Sequence, residues 1–460
     1  MPDVTSPQAL HAIAERLQRG DTRSIDLVES CLEQIARHAD LNAFITVLAD
    51  EVRAQAAHAD HEIASGHYRG PLHGIPISLK DLIDVAGQPT TAASRVREGH
   101  RAAADAPIVT RLRNAGAVIV GKTNLHEFAF GTTTEDSAFG PARNPYDTSR
   151  SPGGSSGGSA IAVATGMSVA AVGTDTGGSI RIPAAACGIV GLKPTLGEIP
   201  TDGVVPLSRT FDHVGPMTSC VLDAALMYEA LSGRALRAAD WKPAAAPLHF
   251  VVPEPYFLDP LDVDVRARFD RVCKRLREAG HAVQRGAIEH ADLVPAVYLH
   301  IVMAEAAAYH AATLESMPDR YVPAVRSRLE MGRYVLAEDY VRAMRGRDVL
   351  TTAVDAAFAD ADALLLPTLP IPAPPLGAAS VEVGGTKAPV RAMTLKLTQT
   401  FDVTGHPAIS LPMGMTPHGL PCGCQIVGRR GATRQLLRIA LACEAAQIAA
   451  GPGSVGGGTG

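Results

Sequence analysis

The chain has 460 residues, of which 46% are hydrophobic and only 4% aromatic, with a formal net charge of −5. That length accommodates one large α/β unit or two to three ordinary domains, with a core built mainly from Ala, Val, Leu and Ile. The acidic balance excludes a basic nucleic-acid-binding face, and the Arg-rich run 341–347 (VRAMRGR) reads as a solvated helix face. Seven scattered cysteines, an odd number, fit a reducing compartment. The N-terminal MPDVTSPQAL lacks the basic and apolar regions of a signal peptide, and no apolar run reads as a membrane span. The expectation is a cytoplasmic protein with no membrane segment.

In chain order, 6–19 and 24–38 have amphipathic helical spacing, with Ser24 and Asp26 ahead of Leu27 giving an N-cap. Residues 42–48 (NAFITVL) predict a strand and the Ala-rich 51–65 a helix; nothing in this layer is chemical. At 74–80, GIPISLK is a strand-like apolar run that ends in Lys80, followed by Asp81. A lysine at the end of a buried strand is partly desolvated, which favours the neutral amine. Moving its pKa from ~10.4 to ~7 costs about 4.6 kcal/mol, which the fold has to supply. A loop at 86–104, a helix at 106–115 and a buried strand at 118–121 follow. In 122–139 (KTNLHEFAFGTTTEDSAF), His126 and Glu127 read as polar residues that fix a loop.

Residues 151–195 carry the most information. Ser155 and Ser179 sit in glycine-rich turns, GGSSGGS and DTGGS, on either side of a small-residue helix at 159–167 and a short buried strand at 169–173. Small side chains let the helix lie close to a sheet and fix the two turns relative to each other. Gly153, Gly154, Gly157 and Gly158 leave the backbone around Ser155 uncrowded, and Gly177 and Gly178 do so before Ser179. Consecutive free N–H groups beside a hydroxyl make an anion nest, hence an oxyanion hole formed by the amides of Thr176, Gly177, Gly178 and Ser179. A serine needs a base, and this stretch has no His. Lys193, in a later G-L-K-P-T turn, reads as structural. Lys80 is the best base: neutral, it takes a proton from Ser155, which takes one from Ser179.

Asp212 and His213 read as turn residues before a helix at 221–231. Residues 233–247 form a surface connection, 248–252 a strand, 263–279 a helix, and 293–313 and 324–358 are mostly helical. A buried strand at 363–367 leads into a Pro-rich loop at 368–375. His406, before Pro407, reads as structural. Cys422 and Cys424 alternate onto one face of a strand and read as core thiols rather than a metal site. A strand at 425–428, a helix at 434–449 and a flexible tail at 451–460 end the chain.

Taken together, GIPISLKD (74–81), GGSSGGS (153–159), GTDTGGSIRIPA (173–184) and GLKPT (191–195) resemble the amidase signature family in order and spacing. The likeness runs over about 5–450 and is most specific in 71–215. It implies an α/β fold with a mixed central sheet covered by helices on both faces. It also implies one unit over 1–450, with an N-terminal helical layer (1–65), a catalytic core (71–215) and a variable substrate-shaping region (233–360). Family roles fall on Lys80 as base, Ser155 as bridging serine after a cis peptide, and Ser179 as nucleophile. Asp175 and Arg181 become supporting residues, while Ala129, Phe130, Gly131 and Gln399 become cleft residues, with Thr400 beside them. The implied reaction is hydrolysis of small-molecule amides, with aryl amides or carbamates as substrates. It needs no metal or cofactor, involves no nucleic acid or membrane, and is compatible with a homodimer.

Two other readings exist. Gly153–Gly157 also satisfies G-x-S-x-G, which makes Ser155 the nucleophile, but no later Asp and His stand in a distinctive context. A P-loop is excluded because no G-K-[ST] follows the glycines. The glutamine-hydrolysing component of the glutamyl-tRNA amidotransferase shares the same triad. The resemblance places an acidic residue ahead of its last cleft segment, where this chain has Thr394, Leu395, Lys396 and Leu397.

Overall fold

The computed structural model describes residues 8–446 apart from 236, 237 and 246. The start of the first expected helix, the end of the last one, the expected tail and part of the 233–247 connection therefore lie outside the described residues.

The strands are β1 (Phe44–Val47), β2 (Pro76–Lys80), β3 (Val118–Thr123), β4 (Ala170–Asp175), β5 (Val190–Lys193), β6 (His213–Thr218), β7 (His249–Pro253), β8 (Ala282–Gly286), β9 (Ala363–Pro367), β10 (Ser380–Val383), β11 (Thr386–Pro389), β12 (Ala408–Met415) and β13 (Pro421–Val427). Eleven of them form one mixed sheet in the order β1-β3-β2-β4-β6-β5-β12-β13-β9-β7-β8, and β10 pairs with β11 alone. β2 runs parallel to both β3 and β4, whereas β4–β6, β6–β5, β5–β12, β12–β13 and β13–β9 are antiparallel.

Both faces of the sheet are covered, which is why its central strands read as continuous apolar runs. In β3, Val118 and Val120 meet Val28, Val52 and Ala56 of the helices Ser24–Arg37 and Ala49–Ala64. Ile119 joins the large cluster on the other side. Alternation in β2 sends Ile77 and Leu79 into that large cluster and leaves Ser78 and Lys80 on the opposite face. The helix Gly157–Ala164 is wholly buried and packs against β4 through Ala160 to Ala164 and Ala171. Its small residues permit that approach.

Several elements differ from the sequence reading. Ser24 lies inside its helix rather than capping it: Asp60 accepts the Ser24 and Ile25 amides at 2.6 and 3.1 Å, and Ser24 Oγ donates to Gly74 O at 2.7 Å. The first helix spans Leu10–Arg19, and Asp223 accepts the Leu10 and His11 amides. The expected helical run 324–358 is two helices, Pro323–Gly332 and Ala337–Ala356. The hairpin β10–β11 and the strand β8 had no sequence signal strong enough to read. Residues Ala291–Ser316 are long and apolar enough to cross a membrane by length and composition, contrary to the sequence expectation. Half of that window is buried within the molecule, where Val297, Ile301 and Val302 join the main core, as in a core helix.

Candidate active site

Lys80 ends β2 and is wholly buried, as is Ser155. Its Nζ donates to Ser155 Oγ at 2.7 Å and to Thr174 Oγ1 at 2.8 Å. Burial pushes the Lys80 pKa down to about 7, with the Asp175 and Asp212 charges pulling the other way. Thr174 was not read from the sequence. It lies next to Asp175 on β4, a strand parallel to β2, so the two carboxyl ends deliver Lys80 and Thr174 to the same edge.

Ser155 follows a cis peptide from Gly154. Its neighbour Ser156 fastens the turn. The Ser156 amide donates to Ser179 O at 3.2 Å, its Oγ donates to Thr174 O at 3.1 Å, and the Thr174 amide donates back to Ser156 Oγ at 3.3 Å. The turns of Ser155 and Ser179 therefore touch through backbone. Ser179 is 6% exposed where Lys80 and Ser155 are at 0%, so of the three it alone keeps access from outside.

Asp175 organises the loop before Ser179. It accepts from the amides of Gly178 (2.6 Å) and Ile180 (3.1 Å), and from Arg181 Nε (3.0 Å) and Nη2 (2.9 Å). Burial alone would raise its pKa, but the Arg181 guanidinium overrides this and holds the carboxyl well below the usual range. This corrects one expectation: the Gly178 amide is committed to Asp175 and does not face a developing oxyanion. The Gly177 and Ser179 amides donate to no protein group among the described residues. Arg181 is fully buried. It also donates to Asp402 Oδ2 at 2.5 Å, Thr398 O at 3.0 Å and Gln425 Oε1 at 2.6 Å. Asp402, buried beside Asp175, is pushed well above the usual carboxylate range. Thr398 Oγ1 donates to Gly177 O at 2.6 Å, fixing the loop from the other side.

The expected cleft residues divide. Phe130 has two guanidiniums near its ring, Arg391 at 5.5 Å and Arg328 at 6.0 Å from the centroid. Ala129 borders a cavity of about 10 Å³, one water at most, with Thr174, Thr176 and Asp212. Gly131 is not a free wall: a side chain there would overlap the His126 ring. Gln399 is buried beside the Tyr256 phenol. Thr400 is buried, and its Oγ1 is unpartnered.

The residues read as structural behave so. Asp212 accepts the Leu207 and Ser208 amides and Thr176 Oγ1, and burial raises it to about 6. His213 lies between Lys193 Nζ (3.2 Å) and Phe211 O (2.6 Å), and His406 between Thr404 and Asp355. Neither pairs with a serine, which removes the Ser-His-Asp reading. All seven cysteines are free, and Cys422 and Cys424 are both buried.

A buried lysine bonded to a serine at the carboxyl end of a central strand, with a second serine in an adjacent glycine turn, is suited to acyl transfer through a serine nucleophile, and the family and relatives that follow make it a hydrolase of carbon–nitrogen bonds in linear amides. The chain belongs to the Amidase family, whose profile matches residues 26–437. It is 39% identical over 458 residues to an amidase of Pseudomonas putida, covering 95% of each chain. It is 36% identical to the A-type subunit of a glutamyl-tRNA(Gln) amidotransferase from Koribacter versatilis, covering 94% of this chain and 97% of that one. A crystal structure of an amidase superposes with a TM-score of 0.91 at 38% identity, over 95% of this chain and 99% of the other.

Proposed function

We propose that the protein cleaves small-molecule amides, aryl amides and carbamates among them, through an acyl-enzyme on Ser179. The observation that carries this is the 2.7 Å contact between Ser155 Oγ and a buried Lys80 poised near pKa 7. A neutral amine has one lone pair. With an N–H held by Thr174, that lone pair is left for the Ser155 proton. Ser155 then takes the proton of Ser179 as Ser179 attacks the carbonyl carbon, and the Thr176, Gly177 and Ser179 amides face the oxyanion. The proton returns along the same path to the leaving nitrogen, the C–N bond breaks, and water repeats the sequence against the acyl ester. The chain's own groups perform every step.

A second reading, the glutamine-hydrolysing component of a tRNA-dependent amidotransferase, is favoured by the 36% identity to the Koribacter versatilis protein. The absence of a carboxylate in 394–397 favours the free-standing hydrolase.

One experiment tests both. The chain alone is given primary amides, anilides, carbamates and glutamine, and products are read by mass spectrometry beside Ser179→Ala. Hydrolysis of an anilide or carbamate, abolished in the variant at unchanged Tm, is expected. Activity retained in Ser179→Ala moves the nucleophile elsewhere, and cleavage of glutamine alone, dependent on a partner, selects the second reading.

A further inference from the structure

Three different metal-binding side chains meet where the first helix docks on the body of the protein. His11 stands in the first turn of the helix Leu10–Arg19. Cys220 immediately precedes the helix Val221–Ser232, and Asp223 lies in the first turn of that helix. His11 Nδ1 is 2.7 Å from Asp223 Oδ1 and 3.8 Å from Cys220 Sγ. The three donor atoms all lie within 4.8 Å of one another. Asp223 is held in place by the Leu10 and His11 amides, at 2.7 and 3.0 Å, and by Ser219 Oγ at 3.2 Å. A second carboxylate stands beside them. Glu444, on the helix Thr433–Ala445, accepts the Val221 amide at 3.0 Å and is near enough to Asp223 and His11 for their charges to act on its own.

Among the described residues, no lysine or arginine pairs with either carboxylate, and His11 is the one ion partner of Asp223. Negative charge at a spot removed from water is costly, and a cation relieves it. Zn²⁺ bonds of about 2.0–2.2 Å to nitrogen and oxygen and about 2.3 Å to sulfur, set tetrahedrally, put neighbouring donors roughly 3.3–3.6 Å apart. The His11–Cys220 separation is already close to this. The His11–Asp223 separation has to open by about 0.6 Å as the metal replaces the shared proton. The His11 side chain is 34% exposed, which gives it room to swing and the ion a way in. Cys220 is half-buried, whereas the other six cysteines are buried. One thiol, one imidazole and carboxylate oxygen form a borderline-soft donor set, which suits Zn²⁺ better than Mg²⁺ or Ca²⁺.

β6 runs antiparallel to β4, with His213 opposite Asp175 and Met217 opposite Ala171. The turn that carries Ser179 follows Asp175 at one end of this pair, and Cys220 follows Thr218 at the other, about 17 Å along the strand. The cluster is therefore separate from the candidate active site.

We propose that His11, Cys220 and Asp223, with Glu444 beside them, form a Zn²⁺ site that clips the first helix to the helix Val221–Ser232. On binding, the Cys220 thiol proton goes to solvent, and coordination through Nδ1 leaves His11 neutral with its proton on Nε2. The site stands independently of the amidase reading.

The test uses the full chain without a polyhistidine tag, freed of metal by chelation. It is titrated with ZnCl₂ by calorimetry and with CoCl₂ by absorption, beside Cys220→Ala and His11→Ala. The wild type is expected to bind one Zn²⁺ per chain, and its Tm to rise by about 2–5 °C at a hundredfold excess over Kd. Its Co²⁺ complex is expected to show a near-ultraviolet thiolate-to-metal charge-transfer band. Each variant is expected to bind at least about tenfold more weakly and to lose the rise relative to its own metal-free Tm, and Cys220→Ala to lose the band. A wild type that binds no Zn²⁺ overturns the site, as does equal affinity in the wild type and both variants. A Co²⁺ complex without the thiolate band overturns it too.

Discussion

At the residue scale the proposed chemistry rests on one amine. Lys80 sits near pKa 7 because burial disfavours its charge, so it must lose a proton before it can accept one from Ser155. The acid limb of a kcat/KM profile is therefore expected to rise with pH through about 7. Lys80→Met is expected to remove that limb and cost about a hundredfold to ten-thousandfold in rate, the range for a general base, with residual activity climbing at high pH as hydroxide substitutes. A flat profile in the wild type would take Lys80 out of the role. Thr174 tests the orientation of the amine. Thr174→Val deletes the 2.8 Å acceptor at nearly constant volume and leaves one N–H unmet, a cost of about 1–3 kcal/mol. The expected result is a fall in kcat of about tenfold to a hundredfold with KM little altered; a change confined to KM would make Thr174 a packing residue only.

At the element scale the decisive unit is the turn between β4 and the helix Arg181–Cys187. Gly178 adopts φ +132, and a side chain there would run into Thr398. Gly178→Ala is thus strained twice, by backbone and by overlap. It is expected to lower Tm and to depress kcat together, measured by calorimetry and steady-state kinetics. An active, fully stable Gly178→Ala would mean the turn can relax without disturbing Ser179. The same element explains the Gly178 correction. A D-T-G-G-S run advertises free amides, but which of them the preceding Asp captures depends on where Arg181 holds that Asp. Spacing alone does not contain this information.

At the scale of the whole molecule, Arg181 joins parts of the chain that are far apart in sequence. It links Asp175 on β4, Asp402 and the Thr398 carbonyl near the last cleft segment, and Gln425 on β13. Removing one partner of a buried ionic cluster typically costs about 3–5 kcal/mol, because a charge is left unmatched. Arg181→Met is expected to unfold at lower temperature. Without the guanidinium the buried carboxyls have folded-state pKa values raised above the unfolded ones, so protonation favours the folded form and the deficit narrows as pH falls. A deficit that is constant with pH would show that packing, not charge, carries the loss.

The sequence by itself determined the elements that carry the candidate site. Its apolar strand runs, glycine turns and small-residue helix are local signals, and local signals fix local structure. It also singled out Lys80, Ser155 and Ser179, and the Asp175–Arg181 pair was legible through the resemblance of the motifs. Only the tertiary structure decided what surrounds them. Thr174 and Ser156 become partners because β2 and β4 are adjacent and parallel. Gly131 is closed off because His126 folds over it. Leu395 meets Gly177 because a short helix near the C-terminus docks onto the Ser179 loop. Each of these is a contact between segments remote in the chain, and such contacts are set by packing of the whole sheet and its covering helices rather than by the spacing of neighbouring residues.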